Sequence, residues 1–211
     1  MIESLSRRRP APPPNGISPT TGSLSAAGAE LLSADRPHEA VDVLRRAVAA
    51  GEPEAPDLLA RAYLDSGDWH GAVEWLGPLV QRGDVRVAGP LGVALAEIGD
   101  VEAAEWALRL AVRNGERSAC YDLAILLRDR GRLAEAIAVL LPSATLGDGE
   151  AAANLVALYI EDGNLSGAAE HAERYLDDGQ PDTLVALAEV RAAQDRLDEA
   201  EKLFRRACEL G

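Results

Sequence analysis

The chain has 211 residues, 47% of them hydrophobic but only 4% aromatic, and a formal net charge of −14. A chain of this length can form one sizeable domain, but it lacks aromatic anchors, so alanine, leucine and glycine must fill the core, as they do where helices approach closely. The charge disfavours nucleic acid and anionic membranes as partners, because both require a positive footprint.

The first segment, residues 1–22, carries Arg7, Arg8 and Arg9 followed by Pro10 and Pro12 to Pro14, a composition expected to be disordered. Its PAPPP run has polyproline character, and its arginines could touch an acidic surface, although short runs of this kind are usually inert. The chain has no leader-like apolar run, and no later segment stays apolar for the length of a membrane span. The two cysteines, Cys120 and Cys208, lie far apart without ligand-like neighbours, so neither a disulfide framework nor a zinc site is indicated. A cytoplasmic protein without a cofactor is expected.

From there a periodicity governs the chain. Gly51, Gly83, Gly115, Gly147, Gly179 and Gly211 recur every 32 residues, as do Ala40, Ala72, Ala104, Ala136, Ala168 and Ala200. A third series, Asp35, Gly67, Gly99, Gly131, Gly163 and Asp195, keeps the same interval. With the third series as position 15, the units are 21–52, 53–84, 85–116, 117–148, 149–180 and 181–211, and residues 23–211 form the repeat domain.

Each unit reads as two helices of about a dozen residues, each about 20 Å long at 1.5 Å per residue. Leu59, Ala60 and Tyr63 mark the apolar face before the turn at Gly67; Ala72, Leu76 and Leu79 mark it after the turn. The turn glycine closes the first helix in the left-handed conformation, and Asp68, Asp100 and Asn164 cap the second. Glu52, Asp84, Glu116 and Asp148 follow the unit-ending glycine, where they favour the positive end of the next helix. Pro78 and Pro142 fall inside second helices and predict bending or shortening, with Pro90 delaying the first helix of unit three. These irregularities predict a locally opened stack near units two and three. One helix pair cannot bury its own apolar face, so the units must stack.

Leu at position 7 (Leu59, Leu91, Leu123, Leu155, Leu187), a small residue at 8 (Gly28, Ala60, Gly92, Ala124, Ala188) and Tyr or Leu at 11 (Leu31, Tyr63, Leu95, Leu127, Tyr159) complete a pattern. With Ala at 20 and a large residue at 24, it resembles the tetratricopeptide repeat (TPR), and the glycine-acid boundary is similar to the related Sel-like repeats. The family's usual period is 34, its position 4 is a large aromatic where this chain has Ala88, Cys120 and Ala152, and its closing proline is absent here. The resemblance implies an all-α fold, a right-handed α-solenoid of six 32-residue helix-turn-helix repeats, and a protein-binding role.

In that family repeat positions 2, 5, 9, 12 and 13 face a concave groove. Carried onto this chain they include Glu54, Asp57, Arg61, Asp65, Arg86, Val93, Glu97, Tyr121, Ile125, Arg128, Asp129, Glu150, Ile160 and Glu161. Position 13 reads Asp65, Glu97, Asp129, Glu161, acids in the last helical turn, where the dipole disfavours them. The ladder suggests a groove for a basic segment; the plainer reading is that an acidic protein exposes acids everywhere. Trp106, on the outward side of a second helix, and Trp75 are candidate outer-face contacts, although Trp75 could simply pack on Trp69.

The last helix, about 198–210, is the most charged in the chain, and Arg191 replaces the apolar residue of position 11. Leu203, Phe204, Ala207 and Leu210 nevertheless predict exposed apolar surface, and with it a dimer or partner contact. His38, His70 and His171 fall on ordinary helix positions, and no hydrolase, metalloprotease or phosphate-loop motif occurs. The expected function is therefore a non-enzymatic adaptor for a protein or peptide. The alternatives are a regulatory sensor of a small peptide or metabolite, or an accessory subunit of an enzyme complex.

Overall fold

The computed structural model describes residues 23–175 and 181–210. The expected disordered tail, 1–22, lies outside the described residues, as do Gly179 and Gly211. Among the described residues the chain is all helical, with no strand. The helices are α1 (Leu24–Ser33), α2 (Pro37–Ala49), α3 (Ala55–Ser66), α4 (Trp69–Gln81), α5 (Ala88–Glu97), α6 (Val101–Arg113), α7 (Ser118–Asp129), α8 (Leu133–Thr145), α9 (Gly149–Glu161), α10 (Leu165–Tyr175), α11 (Pro181–Ala193) and α12 (Leu197–Leu210). A short 3-10 turn, Val85–Val87, precedes α5.

The turn chemistry explains the boundaries. Gly67 closes α3 at φ 67°, and Asp35 and Asp195 take the same left-handed conformation at φ 56° and 60°. Asp accepts this strain better than most residues because its short side chain bonds locally. Asp68 accepts from the Gly71 amide at 3.0 Å and Asn164 from the Gly167 amide at 2.9 Å, each starting the next helix.

Packing follows the small residues. The six alanines of position 20 are 0–3% exposed, at the seam where the two helices of a unit meet. Position 8 is small because position 24 lies against it. A Cβ on Gly92 would fall 2.6 Å from Cγ of Leu108, and Gly28 lies under Leu44 in the same way. Where position 11 is tyrosine, position 19 is glycine: a Cβ on Gly71 would sit 2.8 Å from the Tyr63 ring, and one on Gly167 3.0 Å from the Tyr159 ring. One core cluster runs from Leu32 to Leu158, and a smaller one holds Val156, Ala168, Ala172, Ala186 and Val190. Tyr159 packs against both and stacks on His171 at 4.7 Å.

Each helix packs on the next along the chain. The odd-numbered helices also touch one another, α1 on α3, α3 on α5, α5 on α7 and α9 on α11. They form one side-by-side layer. Within that layer α7 and α9 are the neighbours that approach least.

Three expectations are corrected here. Pro78 and Pro142 do not shorten their helices, since α4 and α8 run 13 residues, as α2 and α6 do. Both prolines are exposed, and the carbonyls they deprive of a partner belong to exposed Glu74 and Ala138, which water can serve. The layer parts between α7 and α9 rather than near units two and three, where α3 packs on α5. Finally, the unit-ending acids do not all serve the next helix. Glu52 turns back to α1, accepting from Ser23 Oγ at 2.7 Å and from the amides of Leu24 and Ser25 at 3.0 and 2.8 Å. Glu116 likewise lies against Gly89 in the first turn of α5, leaving no room there for a Cβ. Asp84 pairs with Arg86 at 2.8 Å, and only Asp148 caps the following helix, accepting from the Ala151 amide at 3.1 Å. Stacking sets the starts of successive odd helices side by side, so an acid at the junction can satisfy either set of free amides.

Candidate partner-binding groove

The odd-helix layer carries the residues expected to line a groove, and ion pairing divides them. Arg86, just before α5, reaches back to Asp57 of α3 at 2.8 Å and also bonds Asp84 and the carbonyl of Pro53. Arg61 pairs with Asp65 one helical turn on at 3.4 Å, and Arg128 turns onto Asp129 at 3.0 Å. Two of the four rungs of the position-13 ladder are thus already matched. Glu54, Glu97, Glu150 and Glu161 are exposed and have no cationic partner among the described residues. Each basic residue of the expected lining is spent on a neighbouring carboxylate; the carboxylates left over are not.

Where α7 and α9 separate, a recess of about 190 Å³ opens, lined by Tyr121, Ala124, Ile125, Arg128, Leu140, Glu150, Asn154, Ala157, Leu158 and Glu161. Its lining includes Ala124, Leu140, Ala157 and Leu158, and Ile125 beside them is 50% exposed. Tyr121 forms one wall; burial, and then the Asp148 carboxylate beside it, push its phenol well above the usual tyrosine range. A second recess, about 540 Å³, lies between α5, the start of α6 and α7, lined by Val93, Ala96, Glu97, Val101, Leu108, Asp122, Ile125, Leu126, Asp129 and Arg130. Arg130 is tied to Glu102 at 3.2 Å, while burial holds the carboxyl of Asp122 above its ordinary value. Ile125 borders both recesses.

Seven of the residues singled out from the sequence meet around Ile125: Val93, Glu97, Tyr121, Arg128, Asp129, Glu150 and Glu161 join it in one recess or the other. Glu54, Asp57, Arg61, Asp65 and Arg86 line neither, and Ile160 packs against the smaller core cluster. Asp122, Asn154 and Leu158 sit at repeat positions 6, 6 and 10, outside the family's groove positions, so the repeat pattern does not single them out, although Asp122 lines the second recess and Asn154 and Leu158 the first.

The two tryptophans differ in setting. Trp106 on α6 is 51% exposed. Trp75 is half-buried against the core beneath Arg45, whose guanidinium lies 5.3 Å from the indole centroid while its Nε donates to the Tyr63 hydroxyl at 2.7 Å. On α12, Ala207 is buried and Leu203 half-buried, so the exposed apolar surface belongs to Leu197, Phe204 and Leu210. At position 24, Leu44, Leu76, Leu108, Leu140 and Ala172 are at most 1% exposed, while Phe204 is 39% exposed. Arg191 ties the last helices together, bonding Glu173 at 2.7 Å and lying 3.8 Å from Glu199.

Among the described residues no group of three or more His, Cys, Asp or Glu side chains could hold a metal ion, and no helix is long and apolar enough to cross a membrane.

A family profile described as tetratricopeptide repeat matches residues 58–119 and 154–211, and a second of the same description matches 117–142. No curated protein sequence matches the chain. Solved structures do. The C-terminal part of a TPR repeat-containing protein from Cytophaga hutchinsonii superposes with a TM-score of 0.68 at 15% identity, over 88% of this chain and 78% of that one. BtubC from P. vanneervenii gives 0.63 at 17%, over 90% and 91% of the two chains. MamA (41 to the end) from Desulfovibrio magneticus RS-1 gives 0.54 at 19%, over 90% and 97%. At these identities the likeness is one of fold.

Proposed function

Because the chain belongs to the tetratricopeptide repeat family, whose profile covers more than half of it, we propose that it is a non-catalytic scaffold. In this reading it holds a protein or peptide segment with basic residues against its odd-numbered helices. The observation that carries the reading is the division of charge. Arg61, Arg86 and Arg128 are neutralised in place, whereas Glu54, Glu97, Glu150 and Glu161 have no cationic partner among the described residues of the same layer. Such a surface attracts cations at a distance, and the exposed Ile125 supplies an apolar contact once a segment arrives.

The test uses the full chain and a fluorescein-labelled peptide of Lys and Leu. Anisotropy should report binding that weakens as salt rises, because exposed pairs are screened over about 10 Å at 0.1 M salt. Glu97→Lys and Glu161→Lys should each weaken it further. Salt-insensitive binding that ignores both substitutions would remove the electrostatic basis.

A second contact is proposed at α12, where Leu197 and Phe204 leave an apolar strip on which a second copy of the chain could pack. Trp106 is proposed as an outer-face contact, since its indole is half exposed and lines neither recess.

A further inference from the structure

The recess between α7 and α9 runs lengthwise along both helices. Glu150, Asn154, Leu158 and Glu161 line it from α9, and Tyr121, Ile125 and Arg128 from α7, a spacing that keeps to one face of each helix. Glu150 stands in the first turn of α9 and Glu161 is its last residue. Eleven residues at a rise of about 1.5 Å set their α-carbons about 16 Å apart along the helix axis.

Acids therefore stand at both ends, and apolar Ala124, Ile125, Ala157 and Leu158 lie between them. Arg128 is the one base of the lining and bonds Asp129 at 3.0 Å, while Glu150 and Glu161 have no cationic partner among the described residues. The Asn154 amide donates to the Glu150 carbonyl at 3.0 Å, which leaves its side-chain oxygen to accept. The main chains of α7 and α9 bond internally, so the amides of a bound peptide would gain no partner here.

The ligand that matches carries cations at its two ends and methylene groups between them. An extended chain of about 1.5 Å bonds at near-tetrahedral angles advances about 1.25 Å per bond, so about thirteen bonds reach from one acid to the other. A linear tetraamine with spacers of three, four and three carbons has that length. Its first inner amine, about 5 Å from the end, then falls near the level of Asn154, about 6 Å along the helix from Glu150.

We propose that the recess between α7 and α9 binds a linear aliphatic polyamine lengthwise, one terminal ammonium at Glu150 and the other at Glu161, in competition with the basic segment of the groove reading above. Only the competition rests on that reading; the polyamine site needs no protein partner.

The experiment is isothermal titration calorimetry of the full chain with spermine, which is that tetraamine, and with putrescine, a diamine too short to reach both acids. Spermine should bind roughly tenfold more tightly than putrescine. Glu150→Gln and Glu161→Gln should each weaken spermine about two- to fivefold, the range of one exposed ion pair, with the helical circular dichroism unchanged. Glu97→Gln removes the same charge outside this recess and should leave spermine binding as it was. Spermine should also displace the labelled peptide of Lys and Leu. An equal loss in all three variants means diffuse attraction to the net charge of −14 and overturns the inference. A loss in only one of Glu150→Gln and Glu161→Gln means that one end alone is held, and overturns the lengthwise geometry. Spermine that binds without displacing the peptide overturns the competition. If the peptide binds and spermine does not, the groove reading stands and the polyamine site falls; if neither binds, both fall.

Discussion

Replacing Gly92 by alanine inside α5 should destabilise the protein, against the ordinary rule. In a helix interior Gly→Ala is worth about 1 kcal/mol in favour of the helix. At this position the new Cβ would meet Leu108 Cγ at 2.6 Å, Cδ2 at 2.8 Å and the Leu108 backbone nitrogen at 3.1 Å. Leu108 is 1% exposed and belongs to the core cluster, so its side chain can give way only at the expense of other core contacts. Overpacking of this kind costs about 1–3 kcal/mol, so the net change is a loss of up to about 2 kcal/mol. For a chain of this size that lowers the thermal midpoint by several degrees, at about 2–4 °C per kcal/mol. The informative assay is a double-mutant cycle by urea unfolding followed by circular dichroism. Leu108→Ala alone should cost about 2–5 kcal/mol, and in that background Gly92→Ala should turn neutral or stabilising, because the two side-chain atoms it struck are gone and only the backbone contact at 3.1 Å remains. A Gly92→Ala that stabilises the parent chain, or that has the same effect in both backgrounds, would refute the assignment of positions 8 and 24 as one tight contact.

The acid-side stability of the protein should depend on Glu52, whose carboxyl is held down to about 2 from 4.5, chiefly by Ser23 and then Ser25. A value lowered on folding stabilises above the ordinary pKa, and that contribution is lost as pH falls from about 4.5 toward 2. Thermal melts of the wild type should therefore decline more steeply over that range than those of Glu52→Gln; parallel curves would show that the cap is idle. Phe204→Glu should leave helicity intact but convert a self-associating chain to a monomer in analytical ultracentrifugation, whereas a wild type that is already monomeric at high micromolar concentration removes the α12 contact. Trp106→Ala should change the midpoint by little, since the indole is half exposed, and a loss comparable to that of Leu108→Ala would place Trp106 in the packing instead. Exchanging Tyr63 for Leu should lower stability by removing the Arg45 bond at 2.7 Å and opening space over Gly71, and an unchanged midpoint would deny the tyrosine–glycine pairing.

What the sequence by itself determined is whatever repeats. Helix starts, turns and the small-against-large seam of positions 8, 20 and 24 depend on local backbone preference and on neighbours one unit away, so the same residues at the same interval specify them each time. Even the pairing of Tyr63 with Gly71 and of Tyr159 with Gly167 was written in the residues. The tertiary structure decided what breaks the repeat. Glu52 and Glu116 faced two sets of helix amides, and only the stacked geometry shows that they serve the helix two behind. The acid ladder looked uniform, but Arg61 and Arg128 neutralise two rungs through side-chain geometry that a periodic pattern does not encode. Nor does any local residue announce that the layer parts between α7 and α9: the width of that gap is a small difference summed over all the contacts of two neighbouring units, whereas a sequence pattern reports each contact one at a time.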